Sequence, residues 1–256
     1  MEEKLVSIIM PTYNCAKFIE ETIISVLNQT YQNWELLISD DCSKDNTEEI
    51  VKKYSNNDSR IKYSKLEENV GAAMARNDAM QRANGYYMAF LDSDDLWDNN
   101  KLKLQIEFME KNNYNFTCTA YRQISEEGTF LGKIIKTNNK TSYNGVLLNC
   151  PVGNSTVIYN VSSLGKFEVP NIKKRNDDAL WLKMLKKEKF IYGMDDILMS
   201  YRVRKNSISS NKLDLVKYHW YLYRKIEHLS LIRSIFHIGY WGIIKILKIK
   251  WFYRRG

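Results

Sequence analysis

Tyr86-Tyr87-Met88-Ala89-Phe90-Leu91-Asp92-Ser93-Asp94-Asp95 (residues 86–95) is the stretch on which the fold turns. The apolar and aromatic run reads as a short buried strand, and the acids sit where it leaves the sheet. Carboxylates that close together repel, and each raises the pKa of its neighbours unless a cation sits among them. Hard divalent cations such as Mg²⁺ or Mn²⁺ take oxygen ligands and commonly bridge one or two carboxylates to substrate phosphates. The bland alternative is a solvated acidic turn that caps a helix starting near Asn99. The flanking sequence decides between the two.

Outward from this stretch, strands and helices alternate. Val6–Met10 reads as a strand ended by Pro11, and a helix from about Ala16 to Asn28 follows, with Phe18, Ile19, Thr22, Ile23, Val26 and Leu27 on one face. Trp34–Ile38 and Ile61–Leu66 read as strands, and Gly71–Ala83 as a helix that Gly85 stops. This alternation over residues 1–110 or so implies βαβ units and a mostly parallel, doubly wound α/β sheet. Ligands bind such sheets outside the carboxyl ends of the strands. Thr12-Tyr13-Asn14, Asp40-Asp41 and Asp92–Asp95 should therefore share one rim. Beyond Tyr121 the pattern turns to strand-like pieces and turns, with a helix from about Asp177 to Lys187 and an extended run Ile197–Val203.

Composition excludes several classes. The chain has 256 residues, 44% hydrophobic and 27% charged, as in a domain that buries a real core. Three prolines and no low-complexity tract argue against long linkers. Cys15, Cys42, Cys118 and Cys150 are scattered without zinc spacing, so reduced thiols in the cytoplasm are expected. Glu2, Glu3 and Lys4 do not read as a secretory signal. No GxGxxG follows the first strand and no GxxxxGK[ST] occurs, so backbone amides do not cradle a diphosphate in either of those ways. A metal on Asp94 and Asp95, helped by Arg76, would neutralise it instead. Judged alone, Arg76 reads as a surface ion-pair residue.

The other candidate groups each have a bland and a chemical reading. An unpaired carboxylate of Asp40-Asp41 can accept from a uracil N3–H or a ribose hydroxyl, and Tyr13 offers a face for a base to stack on; otherwise they are helix-capping acids and a core tyrosine. Asp177-Asp178 can supply a general base for an acceptor hydroxyl, or merely cap a helix. His219, His228 and His237 fall late in the chain, and are expected to be helix residues far from the rim.

Together these residues resemble family 2 glycosyltransferases, the GT-A nucleotide-sugar transferases. The matching stretches are VSIIMPTYN (6–14), SVLNQTYQNWELLISDDCSKDNT (25–47), ENVGAAMARNDAM (68–80), NGYYMAFLDSDDLW (84–97) and NDDALWL (176–182). The run YRVRKNSISSNK, within residues 192–212, looks especially like transferases of teichuronic acid or capsular polysaccharide synthesis. The resemblance implies a GT-A domain over residues 1–210, with a nucleotide-sugar half (1–115) and an acceptor-side half (116–210). It implies a donor site of Pro11, Tyr13, Asp41, Asn69, Gly71, Arg76, Asp92 and Asp94, with Asp94 and Asp95 holding Mg²⁺ or Mn²⁺. It makes Asp177 the catalytic base. Asn176 stands where the family usually has Glu, so Asp178 stays a second candidate. The absence of QxxRW implies transfer of one sugar and not polymerisation. The implied activity is inverting transfer from a UDP-sugar to a lipid-linked or other saccharide acceptor in bacterial surface polysaccharide synthesis. Two alternatives stay open: a metal-dependent nucleotidyltransferase, and a non-catalytic membrane-bound nucleotide-sugar scaffold.

The net charge of +8 is uneven. Residues 212–256 hold ten Lys/Arg and two Asp/Glu, leaving 28 of each sign in the rest. This basic segment (211–256) is rich in Ile, Leu and Trp, yet Ser234–Ile244 is its longest charge-free run. A bilayer span needs about 20 apolar residues, so an interfacial helix on anionic lipid is expected, peripheral on the inner face of the plasma membrane. The bland reading is a helix packed on the body. Nucleic acid is not expected, because the charge lies among aliphatic residues.

Overall fold

The computed structural model describes residues 3–204, 212–246 and 253–255. The first half runs β1 (Val6–Thr12), α1 (Ile19–Leu27), β2 (Trp34–Asp40), α2 (Thr47–Ser55), β3 (Ile61–Lys65), α3 (Ala72–Arg82) and β4 (Tyr87–Phe90). Then come β5 (Leu96–Trp97), α4 (Lys101–Asn112), β6 (Phe116–Ile124), β7 (Phe130–Ile135), β8 (Lys140–Thr141) and α5 (Tyr143–Asn149). The remainder is β9 (Ile158–Asn160), α6 (Val161–Leu164), α7 (Asn176–Met184), β10 (Ile191–Arg202), α8 (Lys212–Tyr221), a π-helical turn (Leu222–Ile226), α9 (Leu231–Ile246) and β11 (Tyr253–Arg255).

β3, β2, β1 and β4 lie side by side in that order and pair in parallel. Strand order reverses between β1 and β4, and in an open α/β sheet such a switch point is where a ligand crevice forms. β9, β6 and β7 then extend the sheet by antiparallel pairing, and β10 runs parallel to β6. The expected parallel half and mixed half are both present.

Pro11 does not end the first strand, as the sequence implied; β1 runs on to Thr12, with Pro11 opposite Ser39. The physical reason lies on the other side. Pairing with β4 stops at Ile9 opposite Phe90, so Pro11 sits on a stretch of open edge where a missing N–H is tolerated. The early departure of β4 also opens the crevice.

Alternation along β1 sorts the core. Val6, Ile8 and Met10 pack with Ile19, Ile23 and Val26 of α1 and Ile106 of α4, while Ile9 packs with Met80 of α3 and Trp181 of α7. Burying each such side chain contributes about 1.5–3 kcal/mol relative to exposure. Gly85 is required by close approach: a Cβ there would lie 2.5 Å from the Ser7 amide nitrogen.

The C-terminal segment is not an appendage. Leu222, Tyr223 and Leu229 belong to the same core as Phe116 and Trp181. The Tyr223 hydroxyl donates to the Leu147 carbonyl (2.8 Å), and buried Glu227 pairs with Lys186 (2.7 Å) and accepts from the Tyr143 hydroxyl. α9 has two faces. Ser234, His237, Trp241 and Ile244 are buried, whereas Leu231, Ile232, Ile235, Phe236 and Ile243 are 54–81% exposed. Among the described residues no helix is long and apolar enough to cross a membrane.

Candidate active site

The rim forms where β1, β2 and β4 end. Tyr13 follows β1 and is 48% exposed, so its ring is open to a ligand and is not a core tyrosine. Asn14 and Cys42 beside it have left-handed backbones (φ 46° and 64°), a conformation asparagine tolerates and cysteine adopts only at a cost. The adjacent loops are sewn together: the Asn14 amide donates to Ser43 Oγ and the Lys44 amide to Asn14 Oδ1, both at 2.8 Å.

Asp40 and Asp41 have separate tasks. Asp40 is fully buried and accepts from the Ser43 amide (2.8 Å) and the Tyr63 hydroxyl (2.7 Å). Asp41 accepts from the amides of Val70 (2.7 Å) and Gly71 (2.9 Å), one on each oxygen, while Asn69 Nδ2 donates to its carbonyl (3.0 Å). Asp41, Asn69 and Gly71 thus form one unit in which the carboxylate fastens the loop. Burial raises the Asp41 pKa, against the pull of the two amides. Gly71 has φ +93° with open space where a Cβ would stand, so the backbone at the start of α3 faces the crevice bare.

Asp92, Asp94 and Asp95 diverge. Asp92 Oδ1 accepts from Asn154 Nδ2 (2.8 Å) and Arg76 Nη2 (3.1 Å). Asp94 pairs with Arg204 Nε (2.8 Å). Asp95 turns inward: it is 1% exposed, accepts from Ser155 Oγ (2.6 Å) and from the Arg202 amide (3.1 Å), and so has both oxygens occupied. Burial raises the pKa of all three, most of all Asp95, and the neighbouring acids add to it. An oxygen-only donor set under mutual repulsion suits a hard cation. Among the described residues, however, no three His, Cys, Asp or Glu side chains form a ready cage.

Arg76 is no surface residue. It is 4% exposed and spans from Asp92 to α7, donating to Asn176 Oδ1 at 2.5 Å. Asn176, standing where resemblance implied an acid, is thus an acceptor for this guanidinium. At the next two positions Asp177 and Asp178 part company. Asp178 is buried and ion-paired with Arg175 (2.9 Å). Burial, partly offset by Arg175 and reinforced by Asp177, holds it up to about 6. Asp177 is only half-buried, and no hydrogen bond or ion pair ties it among the described residues. Its charge bears on both Asp92 and Asp178, which puts it in the crevice with the acidic loop.

Several residues of the site had no role assigned from the sequence. Arg202 is buried and binds the Asp94 carbonyl (2.9 Å), Glu21 (2.6 Å) and the Glu126 carbonyl (2.6 Å). Arg204 covers Asp94, and both arginines lie in the run YRVRKNSISSNK, where paired arginines at a strand end were the available signal. Asn154 and Ser155 come from a single 3₁₀ turn (Asn154–Thr156) with no local sequence signature. Arg175 adopts φ +66° and its Nη2 lies 2.7 Å from His219 Nε2; since a guanidinium only donates, the His219 ring accepts. His219 is therefore close behind the site, contrary to expectation, because α8 folds back to Arg175, the residue that precedes α7. His228 lies outside any helix, at φ +50° between the π-helical turn and α9.

A family model described as Glycosyl transferase family 2 matches residues 7–169. TuaG of Bacillus subtilis (strain 168), named as a teichuronic acid biosynthesis glycosyltransferase, is 45% identical over 90% of this chain and 91% of its own. WfgD of Escherichia coli, named as a UDP-Glc:alpha-D-GlcNAc-diphosphoundecaprenol beta-1,3-glucosyltransferase, is 41% identical over 100% of this chain and 99% of its own. Among solved structures, S. aureus TarS 1–349 in complex with UDP-GlcNAc superposes with a TM-score of 0.69 at 23% identity, over 92% of this chain and 70% of that one, which establishes the common GT-A fold. The chain belongs to glycosyltransferase family 2, and neither alternative class is favoured.

Proposed function

We propose that this chain transfers one sugar from a UDP-sugar to a lipid-linked saccharide acceptor, with inversion, in synthesis of a bacterial surface polysaccharide. The relatives just named, acting in teichuronic acid synthesis and on a diphosphoundecaprenol acceptor, supply the substrate classes. The transferred sugar is a hexosyl or N-acetylhexosaminyl group. The single observation that carries the chemistry is the split of the α7 acids: Asp178 is ion-paired with Arg175, while Asp177, whose charge reaches Asp92 across the crevice, makes no ion pair among the described residues.

In this reading Tyr13 stacks on the uracil, beside Pro11, while Asp41 and Asn69 hold the loop that presents Gly71 to the nucleotide. Asp92, oriented by Arg76 and Asn154, accepts from the ribose. Asp94 would hold a divalent cation, Mg²⁺ or Mn²⁺, which would supply charge neutralisation for the diphosphate. Asp95 braces the loop from behind. Arg204, released from Asp94, adds positive charge for the departing UDP. Asp177 takes the proton from the acceptor hydroxyl as its oxygen attacks the anomeric carbon from the face opposite UDP. No enzyme carboxylate attacks the sugar, so the product is inverted. The exposed apolar face of α9 and the excess of basic residues in the same segment support a peripheral position on the anionic inner face of the plasma membrane.

The test is UDP release from a panel of UDP-sugars, with Mn²⁺ or EDTA, in the presence of sugar-diphospholipid acceptors. Acceptor-stimulated release from one donor, abolished by EDTA, is expected. Release independent of acceptor and of EDTA would refute the reading.

A further inference from the structure

α5 and α9 enclose a groove of about 450 Å³ between Asn144 and Leu148 on one side and Ile232, Arg233, Phe236 and His237 on the other. This volume is within the range of small-molecule clefts. Ile232 and Phe236 stand four residues apart on one helix face, and both are mostly exposed. A soluble monomer rarely leaves such a face bare without use.

We propose that this groove binds the isoprenoid stem of a polyprenyl-diphosphate acceptor. The inference rests on the lipid-linked acceptor of the preceding reading and gives that acceptor a place. Three observations favour this occupant. First, the groove leads to the base. α5 ends at Cys150, whose thiol is pushed well above its usual range by burial and by the charges of Asp178 and Asp177 beside it. At 1.5 Å per residue the seven residues of α5 span about 10 Å, so a chain lying along Leu148 brings its head group towards α7. Second, Leu148, Ile232 and Phe236 give the groove a predominantly apolar lining, as a hydrocarbon chain requires. Third, the apolar face continues past the groove through Leu231 and Ile235, giving a chain that leaves the bilayer an unbroken apolar path. His237 and Trp241 face inward, so the path is one-sided.

Calorimetry on the full chain tests this with three probes: farnesyl diphosphate, inorganic pyrophosphate and dodecyl phosphate. Saturable binding of farnesyl diphosphate, at least tenfold tighter than that of pyrophosphate and of dodecyl phosphate, is expected. Ile232→Asn and Phe236→Ser should each weaken it about tenfold, the equivalent of 1.4 kcal/mol. Ile243→Asn, on the same apolar face but outside the groove, should leave it unchanged. All these side chains are exposed, and thermal shift by UDP reports that each variant is folded. Equal weakening by Ile243→Asn, equal affinity for dodecyl phosphate, or non-saturable uptake would each overturn the groove in favour of an undifferentiated greasy face. No donor sugar enters the measurement, so the groove and the transfer reaction can fail separately.

Discussion

Asp94-Asp95 and Asp177-Asp178 are both neighbouring aspartates at the crevice, yet their counter-charges are placed oppositely. In each pair one member turns inward and the other towards the crevice. At the acidic loop the inward member, Asp95, is satisfied by neutral donors, and the cation Arg204 sits on the outward Asp94. At α7 the cation Arg175 sits on the inward Asp178 and reaches the outward Asp177 only at longer range, without an ion pair. An outward carboxylate with a cation on it is suited to exchange that cation for a metal and phosphates. An outward carboxylate left bare, with its neighbour neutralised behind it, is suited to take a proton. The same dipeptide is thus assigned to donor binding or to base catalysis by where one guanidinium lies.

The largest effect should come from the bare acid. Asp177→Asn is expected to lower kcat by about 10²–10⁴-fold, the usual worth of a general base, while UDP still shifts the melting temperature. If it retained full turnover and Asp178→Asn did not, the contrast would be reversed. Next, Asp94→Asn should lower kcat/KM for the donor by roughly 10²–10³-fold, as for removal of one electrostatic stabiliser, and remove the response to Mn²⁺. Asp95→Ala should instead cost about 1–3 kcal/mol of folding stability in urea titration, with turnover close to the parent's, because it leaves the buried Ser155 hydroxyl and Arg202 amide without their acceptor.

The subtlest effect is one of pH. Asp178 is held up to about 6 in the folded chain, against about 3.9 for an unfolded aspartate. Folding therefore favours the protonated form: the stability linked to this group is complete below about pH 4 and is lost as pH rises through 6. For two pKa units the loss is about 3 kcal/mol. Subtracting the urea stability of Asp178→Asn from that of the parent, at each pH from 4 to 8, should reveal this fall. A flat difference would mean that Arg175 fully compensates Asp178.

The alternation that builds the parallel half was legible in the sequence, because apolar runs ending in acids have a local signature. The approximate position of the rim was legible for the same reason. What was not legible depends on contacts across long stretches of chain. Asp95 differs from Asp94 only through Ser155 and Arg202, some 60 and 107 residues away. Arg76 looked like a surface cation because nothing nearby in sequence reveals that α7 closes over it. The placement of His219 required knowing that α8 returns to Arg175. Pro11 misled because proline's effect depends on which edge is already unpaired.

The terminal helices and the body were folded as one piece, with Tyr223 and Leu229 set among the residues that support α7. Anyone grafting this carboxyl end onto a sister enzyme to alter its choice of acceptor must therefore move the receiving surface too. Leu147, Tyr143 and Arg175 would have to travel with the graft. A chimaera joined at the visible change of composition near residue 212 would inherit the greasy helix but lose its seating.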